Sequence, residues 1–169
     1  MKIVIGADHR GQQAITGTLP MLQSYGYDAE ILLDACPNES TRVCDYPDMA
    51  YPVALAVAEG RAKMGLLFCG TGIGMSISAN KVSGVRAALV HDEMSAELAR
   101  RHNDANVLCL AADLLGFKVI ERIVRVFIET EFDGGRHMRR KLKVAAIENG
   151  QDPRDIVDDK TAEAEKVEA

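Results

Sequence analysis

The chain has 169 residues, 47% of them hydrophobic, which is enough for one domain to fill one core without disulfide or metal staples. A formal charge of -5 and a pI near 5.4 exclude a global attraction to nucleic acid or to an anionic membrane, so an anionic ligand has to be held by a local basic cluster. No apolar run reaches the roughly 18 residues of a membrane span and MKIVIGADHR has no signal-peptide core, so the chain is expected in the cytoplasm, with Cys36, Cys44, Cys69 and Cys109 as reduced thiols.

Short apolar runs alternate with segments of helical period, the pattern of an open, parallel five-stranded α/β sheet with helices on both faces. The first strand is Ile3 to Ile5, followed by Asp8 and His9 and by a helix over Gln12 to Tyr25 that Gly17 and Pro20 weaken and Gly26 ends. A second strand covers Ala29 to Leu33. The second helix runs from about Asp48 to Glu59, with Pro52 tolerable only near its first turn. The third strand, Gly65 to Phe68, leads into CGTGIG at 69–74 and a third helix. After the fourth strand, Arg86 to Val90, Asp92 caps a helix reaching about Arg101, and the fifth strand is Val107 to Leu110. Leu114 to Glu129 repeats Ile120, Val124, Phe127 and Ile128 on one helical face, and a basic helix spans Arg136 to Asn149. Residues 1–150 are thus the expected domain, and 151–169, almost without large apolar residues, an acidic mobile tail.

In such a sheet ligands collect at the carboxyl ends of the strands, which singles out Asp8 and His9, the Cys69 loop and Asp113. Gly70, Gly72 and Gly74 let backbone amides approach an anion, and a helix start adds unpaired N–H groups and a partial positive charge, a field that favours the thiolate form of a neighbouring cysteine. The spacing fits neither the dinucleotide fingerprint nor a Walker loop, and Met75 stands where a cysteine phosphatase needs arginine. A buried cysteine beside a tight turn is the plain alternative. His102 closes the fourth helix, where a histidine serves either catalysis or the helix dipole. Arg136 and Arg140 share one helical face in GGRHMRRKLK, as an anion clamp or as a solvated basic face.

Together ADH at 7–9, DYPD at 45–48, CGTGIGMSISANK at 69–81, RHNDANVL at 101–108 and GGRH at 134–137 resemble the type B ribose-5-phosphate isomerases, which include galactose- and allose-6-phosphate isomerases, over residues 1–149. The resemblance implies a Rossmann-like homodimer, open to further assembly into a tetramer, with sites at the subunit interface and neither metal nor organic cofactor. It implies Cys69 as the base between C1 and C2, Gly70, Thr71, Gly72, Ile73 and Gly74 around the enediolate oxygens, and Thr71 assisting transfer between O1 and O2. His102 is implied as the ring-opening acid, Asp8, His9 and Asn103 as substrate ligands, and Arg136 and Arg140 as phosphate ligands. The expected reaction is ribose 5-phosphate to ribulose 5-phosphate, the alternatives being a six-carbon sugar phosphate or a non-catalytic nucleotide-binding module. Two departures stand out: ACPNESTRVC at 35–44 lengthens a usually short loop, and Asp113 replaces an arginine that the family commonly uses toward substrate. If that carboxylate faces the substrate, either a nearby arginine such as Arg139 or Arg100 is expected to neutralise it or it accepts hydrogen bonds from the hydroxyls of a different sugar; otherwise it points away from the site.

Overall fold

The computed structural model describes residues 1–32 and 43–156. Its order is β1 (Lys2–Ala7), α1 (Gln12–Ser24), β2 (Asp28–Ile31), α2 (Tyr46–Ala58), β3 (Met64–Cys69), α3 (Ile73–Ala79), β4 (Ala87–Leu89), α4 (Glu93–Asn103), β5 (Val107–Ala111), α5 (Phe117–Glu129) and α6 (Arg136–Glu148). The strands form one sheet in the order β2-β1-β3-β5-β4, every pair parallel.

Alternation along the strands sorts the core into two layers. Ile3, Ile5, Leu66, Phe68, Leu108 and Leu110 pack with residues of α1, α4 and α5. Val4, Leu67, Cys69, Val107 and Cys109 face α2 and α3 instead. Gly17, expected to weaken α1, has a packing role: an added Cβ would stand 2.3 Å from the Phe117 ring. α5 starts later than its apolar pattern, because Leu114 and Leu115 turn back to bond the Ala111 carbonyl before Gly116 opens the helix. α2 starts earlier, since Pro47 in its first turn gives up no intrahelical bond, and Pro52, expected near that turn, lies inside the helix instead.

The chain moves from β1 outward to β2 and then returns to place β3 on the other side of β1, so the β1–β3 seam is a topological switch point. Of the predicted tail, Pro153–Asp155 forms a turn of 3-10 helix that Lys143 Nζ holds by the Pro153 carbonyl at 2.8 Å, and 157–169 lie outside the described residues. The expectation of reduced thiols fails at Cys44, which is disulfide-bonded, whereas Cys69 and Cys109 are free. The 35–44 departure lies largely outside the described residues. No described helix is long and apolar enough to cross a membrane.

Candidate active site

Parallel register sets Ala7 beside Phe68 and Cys69 beside Ala111, so the chain leaves β1, β3 and β5 at one level of the sheet edge. Asp8 N–H donates to the Phe68 carbonyl at 3.1 Å, and Ala112 N–H to the Cys69 carbonyl at 2.8 Å. The buried Asp8 carboxylate accepts the amides of Arg10 (2.9 Å) and Gly11 (3.1 Å) through Oδ1, which shapes the turn entering α1. Gly11 is required there, because an added Cβ would lie 2.5 Å from the Phe68 carbonyl oxygen. His9 is exposed, and its Nδ1 lies 3.3 Å from the Cys44 carbonyl oxygen.

The Cys69 loop is built around close approaches. Cys69 is 5% exposed, and its sulfur accepts the Gly72 amide at 3.0 Å. Gly72 has φ +74, and an added Cβ would meet Leu89 at 2.5 Å, so both conformation and space demand glycine. At Gly74 a Cβ would collide with the Tyr46 ring at 2.7 Å, which ties the DYPD segment to the loop as its packing partner. Thr71 and Ile73 remain exposed, Thr71 Oγ1 accepting the Ile73 amide at 3.4 Å. The other free thiol is different: burial, with a lesser push from Cys69, holds Cys109 far above its ordinary pKa.

A second cluster stands at the opposite end of the sheet. His102 and Asn103 close α4 before β5 begins, and the His102 ring stacks on His137 of α6 with centroids 4.2 Å apart and planes 5° apart. Arg136 Nε donates to His137 Nε2 at 3.3 Å, leaving the buried His137 Nδ1 without a hydrogen-bond partner. Desolvation, then the charges of His102, Arg136 and Arg140, holds the His137 pKa below its ordinary value against the pull of Asp133. A cleft of about 260 Å³ is lined by His102, Asn103, Arg140 and Lys141. Arg136 and Arg140 themselves are exposed.

Ligand atoms of His102, Asp133 and His137 lie within 4.8 Å of one another. Imidazole lone pairs lie in the ring plane, so two nearly parallel rings do not converge on one cation, and Arg101 Nε already engages both oxygens of Asp133 at 3.1 and 3.2 Å.

Asp104 organises this end, and sequence reasoning passed over it inside RHNDANVL. It adopts φ +48 at the α4 C-terminus, and its carboxylate accepts Arg86 Nη2 at 3.1 Å, Arg100 Nη1 at 3.0 Å and Lys141 Nζ at 2.7 Å. Burial raises its pKa, but Lys141, Arg86 and Arg100 outweigh that and hold it low. The available signal was an aspartate just past a helix end that carries Arg100, Arg101 and His102. Arg100, buried over the Phe127 ring at 5.6 Å, is committed to this hub. The cation that neutralises Asp113 is Arg10, whose Nε and Nη2 lie 2.7 and 2.6 Å from Asp113 Oδ2, in place of the expected Arg139 or Arg100.

A family profile described as Ribose/Galactose Isomerase matches residues 3–144. The chain belongs to that family. As a member of the ribose/galactose isomerase family it is 40% identical to ribose-5-phosphate isomerase B of Escherichia coli over 147 residues, covering 87% of this chain and 96% of that one. Its fold matches the ribose-5-phosphate isomerase B of Clostridium thermocellum with a TM-score of 0.83 at 39% identity, over 89% of this chain and 99% of the other. A Mycoplasma genitalium ribose-5-phosphate isomerase B, solved with bound ribulose-5-phosphate, matches with a TM-score of 0.81 at 38% identity, over 88% of this chain and 96% of that one. The family's motifs divide between the two ends of this sheet: ADH and the Cys69 loop at one, RHNDANVL and GGRH at the other.

Proposed function

We propose that this enzyme, an aldose–ketose isomerase of phosphorylated sugars, converts ribose 5-phosphate to ribulose 5-phosphate in the cytoplasm, with Cys69 as the base. The observation that carries the assignment to Cys69 is its place at the strand end, at the mouth of a loop whose glycines exclude side chains, while the other described free thiol lies within the strand and is held protonated. His102 protonates the ring oxygen as the C1 hydroxyl loses its proton, which opens the sugar. The Cys69 thiolate then takes the C2 proton, and the electron pair moves through the C1–C2 bond to O1 to give an enediolate. Amides of residues 70–74 stabilise the developing oxyanion, those of Gly72 and Ile73 exchanging their contacts with Cys69 Sγ and Thr71 Oγ1 for the substrate. Thr71 relays the proton from O2 to O1, and the Cys69 thiol returns its proton to C1. Asp8, His9 and Asn103 hold hydroxyls, and Arg136 and Arg140 hold the phosphate, fixing the pose.

Within a single chain these groups stand at opposite ends of the sheet, which favours a site shared between two chains. Cys69 and Ala111 share the carboxyl edge, whereas His102 precedes the amino end of β5, and the intervening strand spans roughly 13 Å. A homodimer that sets the Cys69 end of one chain against the His102 end of another removes that separation. Exposed apolar side chains flank both ends: Ile73 and Ile77 on α3, and Leu142, Val144 and Ile147 on α6. The disulfide at Cys44 runs against the reduced state in which a cytoplasm keeps thiols.

A coupled assay of purified protein across ribose, allose and galactose phosphates tests the substrate. Fastest turnover of ribose 5-phosphate is the expected result. Preference for a six-carbon phosphate would change the sugar and keep the chemistry, while inert protein that binds nucleotide tightly would overturn both.

A further inference from the structure

Beside the Asp8–His9 pair stands a guanidinium that the mechanism above leaves unused. Arg10 is fixed at its main chain by donation to Asp8 Oδ1 at 2.9 Å, and at its head by the two contacts to Asp113 Oδ2, at 2.7 Å from Nε and 2.6 Å from Nη2. Asp113 is in turn tied to the Cys69 loop, its N–H donating to the Gly70 carbonyl at 3.1 Å. Gly70 lies directly beneath the pair: an added Cβ would stand 2.6 Å from Asp113 Oδ2 and 3.2 Å from Arg10 Nε. The Arg10 side chain is nonetheless 58% exposed, and ion pairs so open to water add little to stability. What the contact does is hold a cation in one place. One carboxylate oxygen does not exhaust the donors of a guanidinium, so N–H groups remain for a ligand. Asp113 alone would repel an anion at the loop, and Arg10 offsets that charge. The pair also lines a cleft with Gln13, Thr16 and Phe117 between α1 and α5.

We infer that Arg10 is a substrate-binding residue that hydrogen-bonds the phosphate monoester of the sugar above the Cys69 loop, and that Asp113 is the positioning residue that aims it. The inference rests on the isomerase reading for its substrate, but phosphate affinity can be measured without turnover. The test titrates inorganic phosphate calorimetrically and measures KM and kcat in parallel. Arg10→Ala raises both the phosphate Kd and KM by about tenfold, the loss of one charge-assisted hydrogen bond, with kcat changed by less than about threefold. Arg10→Lys recovers part of the phosphate affinity, because an ammonium keeps the charge and loses the fork. Asp113→Asn weakens phosphate by about threefold when Arg10 is present and fails to weaken it in the Arg10→Ala background, where losing the carboxylate only relieves repulsion. An unchanged phosphate Kd and KM in Arg10→Ala, or equal effects of Asp113→Asn in both backgrounds, overturns the inference. If the wild-type protein isomerises no sugar phosphate yet Arg10→Ala still loses phosphate affinity, the anion site stands and the isomerase reading falls.

Discussion

Cys69 and Cys109 lie on neighbouring strands, close enough for their charges to interact, yet they are chemically unlike. Leu67 pairs with Cys109 and Cys69 with Ala111, so Cys109 is sealed one layer inside the sheet while Cys69 meets the loop. Cys69→Ala should therefore abolish exchange of the C2 proton with deuterated solvent, by at least about a thousandfold, in a protein that still folds and still binds sugar phosphate. Cys109→Ala should retain exchange and lose about 1 kcal/mol of stability through the small cavity it leaves. Both effects are read by NMR in deuterium oxide and by denaturant titration, and persistent exchange in Cys69→Ala would move the base elsewhere. His137 makes a separate prediction at this scale. Its folded pKa lies below the unfolded value, so the unfolded chain binds more protons there, and stability is full above the ordinary histidine range and declines as pH falls through it toward the folded value. Substituting His137→Phe, which keeps a ring against His102, should flatten that slope between about pH 6.5 and 5, above the range where carboxylates protonate. An unchanged slope in urea titrations would deny His137 the effect.

Between elements, the amino end of β5 depends on one carboxylate. Asp104 holds α6 through Lys141, α4 through Arg100 and the approach to β4 through Arg86, and so it sets the spacing of His102 from Arg140. Asp104→Ala should cost about 2 kcal/mol, between the values for exposed and buried pairs, and raise KM along with it. Asp104→Asn should cost less, since asparagine tolerates the left-handed backbone at φ +48 and keeps one acceptor oxygen, although it loses the charge and turns the other acceptor into a donor. Equal stability of wild type and Asp104→Ala in chemical denaturation would contradict the hub. Elements with a strong periodic signal were legible: β1, β3 and β5 are apolar runs covered on both faces, and each came within two residues of its place. Leu114 and Leu115 were read as helix because their apolar character fits the pattern, whereas the hydrogen bonds that make them a turn run back to Ala111 and leave no local trace. Strand order, the Arg10–Asp113 pair and the Tyr46–Gly74 contact were illegible for the same reason. Each joins residues far apart in the chain, and spacing reports only what is near.

At the scale of the molecule, the sheet separates what the chemistry needs together. The proposed base and oxyanion loop follow β3 at the switch point, and the proposed ring-opening acid and phosphate clamp precede β5 or lie on α6. The motifs of both ends could be read from the sequence, but their separation could not, because it follows from strand direction. If a working site joins the Cys69 end of one chain to the His102 end of its partner, two different defects placed on different chains leave one site of a mixed dimer intact. The most direct measurement mixes inactive Cys69→Ala protein with inactive Arg136→Ala/Arg140→Ala protein, lets subunits exchange, and records isomerase activity. Random pairing should restore about a quarter of the wild-type rate. No recovery after proven subunit exchange would mean that each chain builds its own site, and would contradict the account.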